Sequence, residues 1–494
     1  MYLLGYDVGS SSVKATLLRA EDGIVLASAT SPKKELPITA PKSGWAEQPP
    51  ELWWEHVKLA TAEIRAEAGI DPSDIKAIGI SYQMHGLVLV DKNYKVLREA
   101  IIWCDSRAVS IGEKAAEKLG KEKCLQRLLN FPGNFTASKL RWVMENEPDL
   151  FARIHKMMLP GDYIAFRLTG EIKTTPSGLS EGIMWDFQEQ GLAEMVVDYY
   201  GIDRKLVPDV VPTFSVQGEV TDQAAEELGL KAGIKVSYRA GDQPNNALSL
   251  KVLEPGEIAA TAGTSGVVYG IGEKSNYDPQ SRVNTFVHVN HSAAKSRYGV
   301  LLCLNGTGIL NSWLKHNTMG ADDDYERMNE LAQRVPVGSE GLRILPYGNG
   351  AERTLGNLNI NCSVHGLNFN IHHRGHLLRA GQEGIVFALK YGLDIMRQMG
   401  LEIQTVRAGD ANMFLSNLFG TAFATVTGTN VELYNTDGSQ GAARGAGLGV
   451  GIYNNQQEMF VGLKTTRKIQ PDTSNAAAYQ DAYQDWLELL KRQI

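Results

Sequence analysis

Short apolar runs joined by small polar residues predict two similar hairpins, one in each half of the chain. At the N-terminus an apolar run ends at Asp7, turn residues follow over 8–12, and Val13–Leu18 alternates between polar and apolar positions. This order predicts two antiparallel strands joined by a tight turn. The same order returns over residues 257–271, with the turn at Gly263–Gly266. We therefore expect two related α/β halves that face each other across a cleft.

The pattern between the hairpins predicts helices and buried strands. Glu51–Ala68 carries apolar residues at helical spacing and is followed by Gly69, which indicates a helix that ends there. Ala77–Ser81 is short, apolar and rich in isoleucine, as in a buried strand. The predicted strand Lys235–Ala240 leads into Gly241 and Asp242, so Asp242 would lie at the carboxyl end of a strand, where open α/β sheets bind their ligands.

Length and composition narrow the class of protein. A chain of 494 residues is long enough for more than one domain. There are 49 Lys and Arg against 56 Asp and Glu, and no dense basic cluster, which argues against nucleic acid or an anionic membrane as the partner. The four cysteines form no CxxC pair, and no apolar run approaches the length of a membrane span. We expect a cytoplasmic protein that binds small molecules.

The two predicted turns have the residue types of a phosphate site. Asp7, Ser10 and Lys14 offer a carboxylate, a hydroxyl and a cation within one hairpin, and Gly9 lets backbone N–H groups approach a phosphate closely. A divalent metal needs a nearby carboxylate. Gly263–Gly266 likewise combines glycines with hydroxyl side chains, but it has no acidic residue. An ordinary hairpin turn remains the alternative for each segment taken alone.

Three further segments carry candidate chemistry. Asp242 could accept the proton of an attacking hydroxyl, or it could cap the helix that follows. Gln83–Gly86 would present Met84 and His85 at a strand end, a mixture that suits a polyol, although His85 could also be structural. Val406–Asn412 offers small residues with room for an adenine, or an ordinary strand-to-helix connection.

Taken in order, these motifs resemble the FGGY carbohydrate kinases. The matching pieces, spread over nearly the whole chain, are Asp7–Lys14, Trp45–Gln48, Pro50–Trp54, Gln83–Gly86, Trp103–Arg107, Lys139–Trp142, Gly241–Asp242, Gly263–Gly266, Glu352–Arg353 and Glu383–Gly384. The resemblance implies a two-domain actin-like ATPase (ribonuclease H-like) α/β fold with a central cleft. Residues 1–240 would form the sugar-binding domain and residues 241–494 the ATP-binding domain, with the final helix packing back on the first domain.

The resemblance also implies roles for individual residues. Asp242 would be the catalytic base and Asp7 the acid near a magnesium ion. Sugar contacts would come from Met84, His85, Trp103, Asp105 and Gln243, and ATP contacts from Ser10, Lys14, Gly263, Thr264, Ser265, Gly409 and Asn412. The sequence departs from the family at Gln243, where asparagine is usual, and at Arg407 and Ala408, where the adenosine motif commonly begins with consecutive glycines. It also has Thr354-Leu355 where Thr-Pro is expected after Glu352-Arg353.

The reaction implied is an ATP- and magnesium-dependent transfer of the γ-phosphoryl group to the 5-hydroxyl of a ketopentose, D-xylulose. Other members of the family act on ribulose or gluconate, and these sugars are the nearest alternatives. An actin-like nucleotide switch would share the two hairpins but would need neither Asp242 nor Gln83–Gly86. A non-catalytic sugar sensor is a third alternative, and a homodimer is left open.

Overall fold

Two mixed β-sheets form the frame of the protein, and the computed structural model describes all 494 residues. The strands of the first sheet are β1 (Tyr2–Val8), β2 (Val13–Arg19), β3 (Val25–Ser31), β5 (Ile75–Tyr82), β13 (Phe214–Glu219) and β14 (Lys235–Gly241). Those of the second sheet are β15 (Glu257–Ala262), β16 (Gly266–Gly272), β17 (Asn284–Val287), β18 (Tyr298–Leu304), β21 (Thr405–Gly409), β22 (Val431–Tyr434) and β23 (Thr465–Ile469). Short strand pairs use β4 (Glu47–Gln48), β6 (Val88–Val90), β7 (Ala100–Ile101), β8 (Lys156–Met158), β9 (Lys173–Thr174), β10 (Trp185–Asp186), β11 (Gly191–Leu192), β12 (Asp209–Val210), β19 (Arg343–Tyr347) and β20 (Asn361–His365).

The two sheets repeat one arrangement around their hairpins. The strand order is β13-β14-β5-β1-β2-β3 in the first sheet and β17-β18-β16-β15-β21-β22-β23 in the second. In the first sheet β1 pairs antiparallel with β2 and parallel with β5, which pairs parallel with β14. In the second, β15 pairs antiparallel with β16 and parallel with β21, which pairs parallel with β22. The predicted pair of related α/β halves is confirmed.

Sixteen α-helices cover the sheets. They are α1 (Pro50–Ala68), α2 (Val109–Leu119), α3 (Lys121–Leu128), α4 (Thr136–Asn146), α5 (Pro148–Phe151), α6 (Pro160–Thr169), α7 (Pro176–Glu181), α8 (Glu194–Tyr200), α9 (Asp222–Leu228), α10 (Asp242–Ser249), α11 (Gly308–Thr318), α12 (Tyr325–Gln333), α13 (Arg374–Gln398), α14 (Asn417–Thr427), α15 (Gly438–Gly449) and α16 (Ala476–Lys491). The predicted helix α1 buries Trp53, Val57 and Ile64 and ends at Gly69, whose φ of 60° suits glycine. None of the helices is both long and apolar enough to cross a lipid bilayer.

Helix α15 belongs to the second half of the chain but packs on the first sheet. It lies against β1 and β5, and two glycines make the close approach possible. A Cβ on Gly5 would come within 1.9 Å of the Ser439 carbonyl oxygen, and one on Gly79 within 1.9 Å of the Ala442 carbonyl oxygen. Close backbone contact therefore joins the two halves behind the first hairpin.

The expectation that the final helix packs back on the first domain is wrong. Helix α16 packs on α13, α14 and β19, all in the second half of the chain. Trp486 donates from Nε1 to the Ile344 carbonyl at 2.9 Å, and the Tyr483 hydroxyl donates to Asp394 at 2.9 Å. Burial of the aromatic face of α16 thus completes the core of the second half, and α15 is the element that crosses to the first sheet.

Candidate active site

The first hairpin presents Asp7 and Lys14 opposite each other in the strand register. Asp7 Oδ1 accepts a hydrogen bond from the Ser81 hydroxyl at 2.8 Å. Burial raises the pKa of Asp7 and the negative charge of Asp437 raises it further, while the Ser81 hydrogen bond and the Lys14 charge lower it. Asp7 is therefore a partly enclosed carboxylate with a second carboxylate nearby.

Asp242 stands at the same edge of the first sheet. In the register Gly241 aligns with Tyr82 on β5, and Tyr82 aligns with Val8 on β1, so the ends of the three strands meet. Burial, and after it the charge of Asp7, raise the pKa of Asp242 to about 7, although hydrogen bonds from Gln243 oppose the rise. Such a carboxylate can accept a proton near neutral pH. The alternative of a helix N-cap is not realised, because Gly241 holds the cap position of α10 and no side chain caps it.

The loop after β5 brings Met84 against the residue that precedes Asp242. A Cβ on Gly241 would come within 2.5 Å of Met84 Cγ and within 2.5 Å of Glu181 Oε2. Only glycine leaves room for both neighbours. The absence of a side chain at Gly241 therefore lets the buried side chain of Met84 pack against the residue that precedes Asp242.

His85, the next residue of that loop, has a backbone conformation that is uncommon outside glycine, with φ at 61°. Its ring lies 4.8 Å from the ring of Phe135 and 5.5 Å from the ring of Phe286. Nδ1 donates to the Glu181 carbonyl at 2.8 Å. Burial lowers the pKa of His85 to about 3, so the ring is neutral and Nε2 is left as an acceptor for a hydroxyl.

Trp103 and Asp105 were both predicted to contact the sugar, and only Trp103 lies at the first hairpin. Trp103 is 53% exposed and donates from Nε1 to the Ser10 hydroxyl at 3.2 Å. Asp105 is fully buried instead, and Arg107 and the Ala46 N–H occupy both of its carboxylate oxygens. The expected sugar contact by Asp105 is therefore corrected to a structural ion pair, because neither oxygen is free to meet a ligand.

The second hairpin and the predicted adenosine segment lie side by side. Gly263 and Thr264 accept hydrogen bonds at their carbonyls from the N–H groups of Gly308 and Ile309, at 2.9 and 3.1 Å. Thr264 and Ser265 are exposed, as the tip of a turn that meets a ligand should be. Asn412 is exposed with φ at 55°, and its amide nitrogen would lie 3.7 Å from a Cβ on Gly263. A Cβ on Gly409 would meet no other atom within 4 Å, so there is open space on that side of the residue.

Arg407, which departs from the family pattern, points away from this segment. Its guanidinium pairs with Glu257 at 2.7 Å and Glu432 at 3.2 Å on the neighbouring strands. The side chain therefore ties three strands of the second sheet together and leaves the tip of the segment to Gly409 and Asn412.

Two buried charged residues near the loop after β5, Glu181 and Lys139, have no site role in the prediction from sequence. Glu181 is buried, and neither carboxylate oxygen has a hydrogen-bond partner. Burial raises its pKa well above the usual range, and the charge of Asp242 adds to the rise. Lys139 is also buried and donates from Nζ to the carbonyls of His85 and Ile102, both at 2.9 Å. Lys139 is part of the matched segment Lys139–Trp142, whereas no pattern in the sequence indicates a role for Glu181.

The arrangement can support transfer of a group from one ligand to another. Asp242, whose pKa is raised to about 7, follows a glycine that packs against the Met84 side chain, and the neutral imidazole of His85 is on the same loop as Met84. An exposed glycine-rich turn from the other sheet offers backbone groups for an anion. The amide of Asn246, on α10, donates to the Thr261 hydroxyl on β15 at 3.1 Å, so the helix that begins with Asp242 contacts the second hairpin directly.

Two family models match this chain. The model of the FGGY family of carbohydrate kinases, N-terminal domain, matches residues 2–249, and that of the C-terminal domain matches residues 258–448.

Curated proteins and solved structures agree with this match. Xylulose kinase from Bacillus subtilis (strain 168) is 31% identical over 492 residues, covering 98% of this chain and 95% of its own. Xylulose kinase from Escherichia coli (strain K12) is 30% identical over 490 residues, covering 97% and 96%. The crystal structure of xylulose kinase from Rhodospirillum rubrum superposes with a TM-score of 0.86 at 27% identity and covers 100% of this chain and 99% of its own.

Proposed function

The chain belongs to the FGGY family of carbohydrate kinases, and we propose that it transfers the γ-phosphoryl group of ATP to the 5-hydroxyl of D-xylulose. Phosphorylation of a sugar is the activity of the family. The choice of D-xylulose is supported by the xylulose kinases of Bacillus subtilis and Escherichia coli, which align with nearly the whole chain. ATP is the phosphoryl donor that a kinase of this family uses.

The observation that carries the proposal is the environment of Asp242. A sugar hydroxyl is almost entirely protonated at neutral pH, so its attack on phosphorus is helped by a carboxylate that takes the proton. The pKa of Asp242, raised to about 7 by burial and by the charge of Asp7, suits that task. Met84 packs against Gly241, the residue before Asp242, and His85 follows Met84 in the same loop. These two side chains would hold the carbon skeleton and a hydroxyl of the sugar.

The transfer joins two parts of the site. The exposed turn Gly263–Ser265 would hold the phosphates of ATP through backbone N–H groups, and the open space at Gly409 would receive the adenosine. Ser10 and Lys14 on the first hairpin would complete the phosphate contacts. The sugar would lie between Asp242 and His85, in line with the γ-phosphorus.

The residues present also fit a magnesium ion. Burial raises the pKa of Asp7, the charge of Asp437 adds to this rise, and the charge of Asp7 in turn raises the pKa of Asp242. A bound cation would relieve this repulsion. Magnesium is commonly held by one or two carboxylates together with water and substrate phosphates. We propose that Asp7 holds the ion, directly or through water, and that the ion neutralises negative charge on the phosphates.

The test is a coupled assay of ADP release over a panel of D-xylulose, D-ribulose, L-ribulose, gluconate and glycerol, with and without magnesium. We expect the highest kcat/KM with D-xylulose, dependence on magnesium, and a pentose phosphate by mass spectrometry. The Asp242→Asn variant serves as the control for contaminating kinases. A preference for another sugar would overturn the choice of substrate, and ATP turnover that no sugar stimulates would overturn the proposal as a whole.

A further inference from the structure

Arg353 lies at the end of a chain of contacts that starts at the second hairpin. It begins the 3-10 turn Arg353–Leu355 between β19 and β20. The carboxylate of the preceding residue, Glu352, accepts the N–H of Asn305 at 2.9 and 3.2 Å. The segment after Asn305 in turn donates to the carbonyls of Gly263 and Thr264. The position of Arg353 is therefore fixed relative to the turn that would hold the phosphates.

On its other side Arg353 reaches the loop that carries His85. Its guanidinium carbon lies 5.9 Å from the centre of the Phe135 ring, and that ring meets the His85 imidazole edge-on at 4.8 Å. Phe135 precedes α4 and belongs to the first half of the chain. Arg353 therefore spans the cleft between the second hairpin and the loop after β5.

The guanidinium of Arg353 has no acidic partner. It forms no ion pair, and its one hydrogen bond is a long contact of 3.5 Å from Nη1 to the Ser281 carbonyl. Burial lowers the pKa of Arg353, and the only group that opposes this shift is the thiol of Cys303. Arg353 is half-buried, and a partly desolvated cation without an anion is unfavourable in a folded protein unless a ligand supplies the negative charge. The unpaired guanidinium therefore points to an anionic ligand.

Resting on the proposed sugar kinase activity, we propose that Arg353 is a further catalytic residue that binds the phosphoryl group during transfer and the phosphate of the product. In the step itself, the sugar oxygen forms a bond to the γ-phosphorus while the bond from that phosphorus to the β,γ-bridging oxygen breaks. The bridging oxygen leaves with the electron pair as part of ADP, and the proton of the hydroxyl passes to Asp242. Arg353 binds the equatorial oxygens of the phosphoryl group throughout.

A phosphoryl group fits the guanidinium better than the sugar does. Arginine presents five N–H donors in a planar fork that matches two phosphate oxygens. A ketopentose is neutral and would leave the charge of Arg353 without compensation. Moreover, the side chain lies between the two places where the donor phosphates and the sugar are proposed to bind, which is where the group in transfer must pass.

The experiment compares Arg353→Gln and Arg353→Lys with Arg327→Gln, an exposed arginine on α12 that pairs only with Glu330. We expect kcat of Arg353→Gln to fall about 100-fold, the scale of removing one transition-state donor. In calorimetric titrations the affinity for D-xylulose 5-phosphate should fall at least about tenfold while that for D-xylulose stays unchanged, since only the product carries the charge. Arg327→Gln should match the wild type in all three measurements.

A second measurement separates the loss of the guanidinium group from a loss of folding stability. In Arg353→Ala, free guanidinium ion at concentrations far below those that unfold proteins should restore part of kcat, and it should leave Arg327→Ala unchanged. Unchanged affinity for the sugar phosphate, or absence of rescue in a folded Arg353→Ala, would overturn the proposed role of Arg353. That result is distinct from failure of the proposed function, in which the wild-type chain phosphorylates no sugar.

Discussion

The ammonium group of Lys139 donates a hydrogen bond at 2.9 Å to the carbonyl of His85, the one residue of the loop after β5 with a positive φ. A second bond from the same group, also at 2.9 Å, reaches Ile102. Lys139 thus joins two loops that border the site and holds His85 in a conformation that an isolated chain would seldom adopt.

Replacement of Lys139 by methionine should loosen the sugar site. The variant leaves the His85 carbonyl without a donor, which costs about 1–3 kcal/mol, whereas the Ile102 carbonyl keeps the N–H of Asp105 at 3.2 Å. We expect a lower melting temperature and a higher KM for the sugar, with little change in KM for ATP. Lys118→Met, at an exposed position of α2, is the matched control. An equal rise in both KM values would show that Lys139 supports the whole fold rather than this loop.

Replacement of His85 tests its proposed contact with the sugar. Asparagine tolerates a positive φ, so His85→Asn removes the imidazole without adding backbone strain. Loss of one hydrogen bond to a bound hydroxyl should weaken sugar binding by about 1–3 kcal/mol. We expect KM for D-xylulose to rise and KM for ATP to stay unchanged, as measured beside the exposed control His316→Asn. A normal KM for the sugar would assign His85 a structural role only.

Asp242→Asn should remove most of the sugar phosphorylation. The amide keeps the shape of the side chain but cannot accept a proton, and general-base catalysis contributes about 10²–10⁴ in rate. ATP binding and the melting temperature should stay close to those of the wild type. The control is Asp222→Asn on the exposed first turn of α9. Retention of more than about a tenth of the turnover would contradict the role of Asp242 as base.

The pH dependence of the reaction should report the ionisation of Asp242. Its pKa is raised to about 7, by burial first and then by the charge of Asp7. The base acts in its ionised form, so kcat/KM for the sugar should rise with pH through about 7 and level off above it. In Asp7→Asn one negative charge is gone, ionisation of Asp242 becomes easier, and the rise should move to lower pH while the maximum falls. Asp22→Asn, at the surface, should leave the profile in place, and a rise that moves to higher pH in Asp7→Asn would contradict the coupling.

Sugar binding should close the cleft. The two hairpins lie on different sheets, and Arg353 already reaches across to Phe135. Contacts that only a sugar can make would draw the halves together and exclude water from the phosphates. Small-angle scattering should show a smaller radius of gyration with D-xylulose and a non-hydrolysable ATP analogue than with the analogue alone. Unchanged radius and unchanged hydrogen exchange of cleft amides would contradict closure.

Local pattern was sufficient for the elements whose residues interact over short distances along the chain. The alternation of polar and apolar residues and the turn residues predict the strands around Asp7 and Gly263 and the position of Asp242 after a strand. A helix-stopping glycine predicts the end of the helix at Gly69. Each of these signals acts within a few residues, and the order of the motifs along the chain was enough to predict the family and the two related halves.

Tertiary structure alone decided the features that depend on contacts distant in sequence. The glycine-rich stretch of α15 has little helical propensity, yet it packs as a helix because Gly5 and Gly79 let it approach the first sheet closely. Asp105 was expected to contact the ligand but forms an ion pair with Arg107 instead. Arg353 contacts Phe135 only because the two halves of the chain pack together. The partner of a charged group is determined by the residues that surround it in the folded protein. The sequence around a polar residue does not show whether that residue binds a ligand or another side chain.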